Sequence, residues 1–167
     1  MELAQAQTIA QRIKAELAPH CERIEIAGSI RRRKPEVKDV EIVCIPKTIR
    51  GGLFGDLIER SPGFRRTVDQ WTPIKGLSHG KYTQRRLPDG LVLDLFTATP
   101  ENWGLILAIR TGSAEFSHNV LAAGWVRRGY SSRDGTLYHG DEPVEVREEP
   151  DLFRLIALPW VEPERRL

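Results

Sequence analysis

The chain has 167 residues, of which 40% are hydrophobic and 29% are charged, and this composition is ordinary for one globular domain. No apolar run approaches the roughly 18–20 residues that span a membrane, and the N-terminus lacks the pattern of a secretion signal. The two isolated cysteines, Cys21 and Cys44, form no CxxC pair, which argues against a zinc site. We therefore expect a cytoplasmic monomer that does not bind membranes.

Charge is unevenly distributed along the chain. Residues 1–130 carry 20 Lys/Arg and 14 Asp/Glu, a net charge of +6, whereas residues 131–167 carry 5 and 9, a net charge of −4. The basic part includes the run RRRK at residues 31–34. This asymmetry favours a polyanionic partner that contacts one face of the protein.

The spacing of apolar residues predicts the secondary structure in chain order. Residues 3–18 follow helical spacing up to Pro19, and residues 23–27 and 39–45 have the patterns of strands. Next come a short helix over 52–60, strands over 65–72, 81–87 and 91–97, helices over 101–110 and 114–127, a hairpin around 134–135, and a last helix from Pro150 to Pro159. This order predicts an α+β fold with an antiparallel or mixed sheet, divided near residue 98 into a sheet-bearing lobe (1–98) and a helical lobe (99–167).

A carboxylate pair follows a glycine turn in the pattern Gly28-Ser29-x9-Asp39-x-Glu41. Residues two apart on a strand point to the same side, so Asp39 and Glu41 share one face and repel each other unless a cation lies between them. Ligands that are all oxygen favour Mg²⁺ or Mn²⁺. The Gly-Ser turn can offer backbone N–H groups and a hydroxyl to a phosphate, and Arg32 can bind a triphosphate.

A third carboxylate, Asp94, stands within the apolar run Leu91–Phe96. A lone aspartate in such a strand is costly to bury without a partner, and a metal ion shared with Asp39 would provide one. Three carboxylates on neighbouring strands can hold two cations about 3.5–4 Å apart, the arrangement used for phosphoryl transfer. A solvated strand face is the alternative reading for Asp39 and Glu41.

The sequence also resembles a known family. The segment 27–32 (AGSIRR), followed by Asp39-Val40-Glu41, is similar to the nucleotide- and metal-binding signature of family X DNA polymerases, typified by DNA polymerase beta. Residues 110–113 (RTGS), with Phe116 and Asn119, resemble the thumb segment of that family, and residues 152–165 resemble its closing helix and tail. The resemblance covers nearly the whole chain and implies a palm (1–98) followed by a thumb-like lobe (99–167).

The resemblance implies a role for each matched residue. Asp39 and Glu41 would bind both metal ions, Mg²⁺ or Mn²⁺, and Asp94 would bind the catalytic ion and help to deprotonate the 3′ hydroxyl of a DNA primer. The implied nucleotide-binding residues are Gly28, Ser29, Arg32, Lys38, Arg110, Thr111, Gly112, Ser113 and Asn119. The implied DNA-binding residues are Arg31, Lys75, Lys81, Arg85, Arg86 and His118, and ordinary exposed side chains are the alternative reading for the last five.

The chain departs from the family pattern at several positions. Glu41 stands where the family usually has aspartate, which could favour manganese, and Lys38 stands where relatives have a small residue. Ile109-Arg110 replaces an aromatic pair that contacts the sugar, so we expect weak discrimination against ribonucleotides. Because the resemblance begins at the palm, we expect a weaker grip on DNA and no 5′-deoxyribose phosphate lyase activity.

Three functions follow as hypotheses. The leading one is a metal-dependent DNA polymerase that adds nucleotides to a primer 3′ hydroxyl, and we expect it to fill short gaps in DNA repair. The second keeps the same chemistry and is either a template-independent terminal transferase or a nucleotidyltransferase with another acceptor. The third is a non-catalytic module that binds DNA ends, and three carboxylates in one cleft argue against it.

Overall fold

The computed structural model describes residues 1–51 and 57–167, which form a mixed set of helices and strands. The helices are α1 (Leu3–Leu17), α2 (Gly28–Arg31), α3 (Pro62–Asp69), α4 (Trp103–Thr111), α5 (Ala114–Phe116), α6 (Ala123–Arg127) and α7 (Glu149–Leu155), with a π-helical segment (Ser117–Ala122) joining α5 to α6. The strands are β1 (Cys21–Ile26), β2 (Asp39–Pro46), β3 (Thr48–Gly51), β4 (Leu57–Arg60), β5 (Thr72–Lys75), β6 (Tyr82–Arg86), β7 (Val92–Thr97), β8 (Tyr130–Arg133), β9 (Thr136–His139) and β10 (Glu142–Val144).

A five-stranded sheet in the order β1-β2-β7-β6-β5 forms the centre of the fold. Strands β2 and β7 are parallel, and the other neighbouring pairs of this sheet are antiparallel. Strands β3 and β4 form a separate hairpin, and β8, β9 and β10 form a small antiparallel sheet. The predicted α+β fold with a mixed sheet is therefore confirmed.

Helix α1 forms as predicted because its apolar residues recur on one side. Ala6, Ala10, Ile13 and Leu17 are spaced by three or four residues and are fully buried. They pack with Val40, Ile42, Leu93 and Leu95, which alternate along β2 and β7, to form the first hydrophobic cluster. Among the residues that the structure describes, none of the helices is both long and apolar enough to cross a membrane.

Residues 57–69 correct two predictions. The predicted strand over 65–72 is wrong, because residues 62–69 form helix α3. Ser61 caps this helix by accepting a hydrogen bond from the Phe64 N–H (3.3 Å), Pro62 occupies its first turn, and Phe64 and Val68 bury one face. The predicted helix over 52–60 is also wrong for residues 57–60, which form β4 opposite β3, and residues 52–56 lie outside the described part of the chain.

Two further clusters organise the second half of the chain. The thumb-side cluster is built from α4, the helical segment 114–127 and α7, with Leu105, Leu121, Leu152 and Phe153 at its centre. The junction cluster joins α4 to the opposite face of the central sheet and contains Ala27, Val43, Ile45, Phe96, Ala98, Trp103 and Leu107. Apolar packing therefore continues across residue 98, and the division of the chain into 1–98 and 99–167 stays a prediction.

Arg166, the second-last residue, packs against the rings of Phe116, Phe153 and Trp160. Its side chain is fully buried, donates to Glu149 Oε1 (2.8 Å) and to the Val161 carbonyl (2.9 Å), and lies 4.7 Å from the centre of the Trp160 ring. Burial lowers the pKa of Arg166, and the Glu149 carboxylate opposes this effect. The same carboxylate also accepts a hydrogen bond from Arg31, so the tail is tied to helix α2 through Glu149.

We predict that Arg166→Ala lowers the free energy of unfolding by about 3 kcal/mol, because one partner of a buried ion pair is removed and aromatic packing is lost. Urea unfolding at pH 7 measures the change. Arg165→Ala is the matched control, since Arg165 is the exposed neighbour and forms no ion pair within the described residues, and we expect its effect to stay within about 0.5 kcal/mol. Equal effects of the two substitutions would contradict a structural role for the Arg166–Glu149 pair.

Candidate active site

The three predicted carboxylates lie on one face of the central sheet. Glu41 on β2 pairs in register with Asp94 on β7, and Asp39 lies two residues before Glu41. Their half-buried side chains alternate with the buried Val40, Ile42, Leu93 and Leu95, which point to the opposite face. Parallel pairing of two strands thus brings together side chains that are more than fifty positions apart in sequence.

The carboxylates form an acidic cluster without a direct cationic partner. None of the three takes part in an ion pair within residues 1–51 and 57–167. Burial raises the pKa of Glu41 to about 7, and the charges of Asp39 and Asp94 add to the rise. Burial and the Asp94 charge likewise raise the pKa of Asp39. A cation placed in the cluster would reverse both effects.

The Gly28-Ser29 turn approaches the cluster closely. Gly28 has φ +62°, and a Cβ atom at this position would lie 1.7 Å from Glu41 Oε2, so only glycine fits beside this carboxylate. The Ser29 Oγ is buried and has no hydrogen-bond partner within the described residues. A buried hydroxyl without a partner gains stability when an acceptor enters. The Ser29 hydroxyl can therefore donate a hydrogen bond to a phosphate oxygen, which is the role that the sequence predicts for this turn.

Arg32 connects this turn to the end of helix α4. Its Nη1 donates to the Thr111 carbonyl at the end of α4, and its charge lowers the pKa values of Asp39 and Glu41. Gly112 follows with φ +60° and a cis peptide bond to Ser113, and a Cβ atom on Gly112 would lie 3.2 Å from Arg32 Nη1. The structure thus brings the predicted nucleotide-binding residues of α2 and of residues 111–113 to one place.

The side chains of residues 111 and 113 have structural partners. The buried Thr111 hydroxyl accepts a hydrogen bond from Arg31. Ser113 Oγ caps the next helix by accepting from the Phe116 N–H (3.1 Å). Both hydroxyls are already bonded within the protein. At positions 111–113, backbone groups and Gly112 are therefore the parts that can contact a nucleotide.

Arg110 reaches the same cleft from the last turn of α4. Its exposed side chain lies over the Phe96 ring, 4.0 Å from its centre, and its charge lowers the pKa of Glu41. The predicted nucleotide-binding residues Lys38 and Asn119 are both exposed, and the Lys38 charge lowers the pKa of Asp39.

Two neighbours of Asp94 were not predicted from the sequence. Tyr82 Oη donates to Asp94 Oδ1 (2.6 Å), and Gln84 Nε2 donates to the same oxygen (2.9 Å). Both residues lie on β6, where alternation places them on the carboxylate face. Nothing in the sequence marks them, because the register of β6 against β7 must be known before they can be paired with Asp94.

The predicted DNA-binding residues differ in their accessibility. Lys75, Arg86 and His118 are exposed, and the exposed Lys81 forms an ion pair with Asp134 in the β8–β9 turn (2.5 Å). The structure contradicts the prediction for Arg85, which is only 2% exposed and donates to the carbonyls of Lys75 (3.2 Å) and Gly76 (3.0 Å). The prediction overlooked that alternation turns Arg85 to the buried face of β6.

Arg31 also departs from its predicted role. Its guanidinium donates to Glu149 and to the Thr111 hydroxyl, so it joins α2 to α7 and α4 instead of extending into solvent. Of the predicted DNA-binding residues, those with exposed side chains are Lys75, Lys81, Arg86 and His118.

The carboxylates have suitable chemistry for the expected metal ions. All three offer oxygen ligands, and burial, together with repulsion from neighbouring carboxylates, raises the pKa values of Asp39 and Glu41. In the described residues no three His, Cys, Asp or Glu side chains are gathered closely enough to hold a metal as they stand. Glu41 is turned towards Gly28, so ion binding requires rotation of the Glu41 side chain, whereas Asp94 is bonded to Tyr82 and Gln84 through Oδ1 alone.

Comparisons with known proteins agree with this architecture. Residues 106–167 match the family model for the DNA polymerase beta thumb. The structure is similar to that of polymerase beta from Leishmania infantum, solved as a ternary P/T complex, with a TM-score of 0.72 and 18% identity over 100% of this chain and 76% of that chain. No curated protein sequence matches the chain. The chain therefore has a polymerase beta-like fold, with a thumb that matches the family model.

We predict that Glu41→Gln stabilises the metal-free protein at pH 8. The folded-state pKa of Glu41 is about 7, compared with an ordinary value of 4.5, and this difference corresponds to about 3 kcal/mol before solvent screening. After screening, we expect the free energy of unfolding of the variant to exceed that of the wild type by about 1–2 kcal/mol, which corresponds to a rise in Tm of a few degrees. Protonated Glu41 is tolerated in the fold, so its favourable contribution to the free energy of unfolding is complete below pH 4.5 and is lost as the pH rises through 7. The difference in stability between the variant and the wild type therefore disappears near pH 4.

Thermal unfolding in the presence of a chelator, from pH 4 to pH 8.5, measures this difference. Glu22→Gln serves as the control, because Glu22 is exposed on β1 and makes no side-chain contact with the cluster. A Glu41→Gln variant that is less stable than the wild type at pH 8 would show that the acidic cluster is already compensated.

Proposed function

We propose that this protein is a metal-dependent DNA polymerase that adds nucleotides to a primer 3′ hydroxyl. The observation that carries the proposal is the register pairing of Glu41 with Asp94 beside Asp39, on a sheet face that also meets the Gly28-Ser29 turn. The polymerase beta-like fold and the thumb match support DNA as the acceptor. Filling of short gaps in repair is the physiological role that we propose for this chemistry.

Each group has a defined part in the proposed reaction. The Gly28-Ser29 turn and Arg32 hold the triphosphate, through backbone N–H groups, a hydroxyl and a guanidinium. Asp39, Glu41 and Asp94 would hold two Mg²⁺ or Mn²⁺ ions, which when bound neutralise charge on the reacting phosphate and lower the pKa of the attacking hydroxyl. Asp94 Oδ2 carries no hydrogen bond from the described residues and is the atom that we assign to accept the proton of the 3′ hydroxyl.

Exposed cations extend the proposed DNA surface away from the carboxylates. Lys75 and Arg86 lie on β5 and β6, at the far side of the sheet from β1, and His118 lies in the π-helical segment between α5 and α6. Lys81 is paired with Asp134, and a phosphate would compete with this exposed carboxylate for the ammonium group. We propose that these four side chains contact the nucleic-acid backbone.

We predict that Asp94→Asn lowers primer extension by roughly a thousandfold or more, because several kcal/mol of charge stabilisation are lost at the reacting atoms. The assay extends a labelled primer on a recessed template, at a one-nucleotide gap and as a single strand, with Mg²⁺ or Mn²⁺. Asp89→Asn is the control, since Asp89 lies in the turn before β7 and pairs with Arg12 on the surface.

The products of the wild type distinguish the possible acceptors. Faithful copying of the template supports a polymerase, and preference for the gap supports the proposed repair role. Homopolymer tails on the single strand would replace the proposal by terminal transfer. Absence of extension on every substrate, or near-normal extension by Asp94→Asn, would overturn it.

A further prediction concerns the choice of sugar. The exposed Arg110 side chain lies over the Phe96 ring, 4.0 Å from its centre, so the cleft offers a guanidinium where the resemblance leads us to expect an aromatic ring against the sugar. We expect ribonucleotides to be incorporated within roughly tenfold of the efficiency of deoxyribonucleotides, because a site without a dedicated steric block rejects one added hydroxyl weakly. Matched single-nucleotide incorporation assays give this ratio, and a preference for deoxyribonucleotides above a thousandfold would contradict the prediction.

A further inference from the structure

The carboxylate of Asp94 is held by two hydrogen bonds that converge on one of its oxygens. Tyr82 Oη lies 2.6 Å and Gln84 Nε2 lies 2.9 Å from Oδ1. Within the described part of the chain, Oδ2 accepts no hydrogen bond. The two oxygens of Asp94 are therefore different in the folded protein.

The register of β6 against β7 produces this arrangement. Gln84 lies directly opposite Asp94, and Tyr82 lies directly opposite Phe96. Both donors are half-buried, whereas Thr83 beside them points to the other face and is buried. Cross-strand neighbours on one face of a sheet are close enough for side chains to bond directly.

Tyr82 is itself fixed by aromatic packing. Its ring stacks on Phe96 with 5.0 Å between the ring centres and 21° between the planes. The hydroxyl therefore meets Asp94 from a ring whose orientation is set by the sheet. Burial raises the pKa of Tyr82 to about 12, with a further rise from its bond to Asp94, so the hydroxyl keeps its proton at neutral pH.

We infer that Tyr82 and Gln84 are positioning residues for Asp94, which occupy Oδ1 and leave Oδ2 as the oxygen that faces the reacting groups. This inference rests on the proposed function and adds two residues that do not touch the substrate. The terminal torsion of an aspartate is broad, so a carboxylate without such bonds would sample many orientations. Its neighbour Glu41 would also repel it, because both carry negative charge in the same cleft.

The size of the expected effect follows from the behaviour of residues that orient metal ligands and catalytic groups. Removal of such a partner commonly lowers metal affinity or activity by 10–100-fold. The nucleotide itself is assigned to Gly28, Ser29 and Arg32, which neither Tyr82 nor Gln84 contacts through a hydrogen bond. A loss of positioning should therefore lower kcat and leave the KM for the nucleotide nearly unchanged.

The test uses the full chain with Tyr82→Phe, Gln84→Met and both substitutions together. Tyr82→Phe removes only the hydroxyl and keeps the stacked ring, and Gln84→Met keeps an unbranched side chain of similar length. Tyr138→Phe is the matched control, because Tyr138 lies on β9 in the separate β8–β9–β10 sheet and its hydroxyl makes no hydrogen bond within the described residues.

Two quantities are measured for each variant. The first is single-nucleotide incorporation on a recessed primer, which separates kcat from KM. The second is the rise in Tm caused by MnCl₂ in the absence of DNA and nucleotide, with Asp94→Asn as the reference for loss of one ligand. The second measurement reports on the carboxylate cluster even when no reaction takes place.

The inference predicts a 10–100-fold loss of kcat in the double variant, a KM within twofold of the wild type, and a manganese-induced rise in Tm reduced towards that of Asp94→Asn. A double variant with lower Tm but wild-type kcat and an unchanged manganese effect would overturn it, since the bonds would then serve stability alone. A wild type that shows the manganese effect but extends no primer would overturn the proposed function, and the manganese comparison among the variants would still decide the inference.

Discussion

The parallel pairing of β2 with β7 is the constraint on which the rest of the site depends. It places Glu41 beside Asp94 and therefore confines like charges to one half-buried face, while Ile42 and Leu93 on the same strands pack into the core. The apolar alternation that stabilises the sheet thus fixes the direction of the carboxylates as well. A shift of one residue in this register would bury the carboxylates and expose the core, so the fold can retain the acidic cluster although burial and mutual repulsion raise the pKa values of Asp39 and Glu41.

Two arginines at the end of α2 connect the glycine turn of the site to the second half of the chain. Arg32 bonds to the end of α4 at the Thr111 carbonyl, while its neighbour Arg31 reaches the Thr111 hydroxyl and Glu149. Arg166 approaches Glu149 from the C-terminal tail. The short helix α2 is therefore held between the sheet and both ends of the second lobe, and the position of the Gly28-Ser29 turn depends on contacts made more than eighty residues downstream.

Sequence patterns predicted the structure correctly where it is determined by neighbouring residues or by the period of a strand. The period of two along β2 predicted that Asp39 and Glu41 share one face, and Asp94 was expected on a neighbouring strand, as the sheet has it. The strand expected over 65–72 was wrong because the capping serine at 61 and the proline at 62 outweigh the apolar residues that follow. Arg85 was misjudged for a related reason: the strand was predicted correctly, but the buried side of β6 depends on its neighbours in the sheet.

Tyr82 and Gln84 show most clearly what a single sequence does not contain. Their residue types are ordinary for a strand. Their role as donors to Asp94 follows from the register of β6 against β7, which only the folded sheet defines. Once that register is known, Asp94 is no longer a lone aspartate in an apolar run, since it becomes the acceptor of two bonds that leave one oxygen without a partner among the described residues. A sheet that must compensate buried charge can do so with neutral donors on the adjacent strand, and this solution keeps the negative charge of the cluster available for a cation.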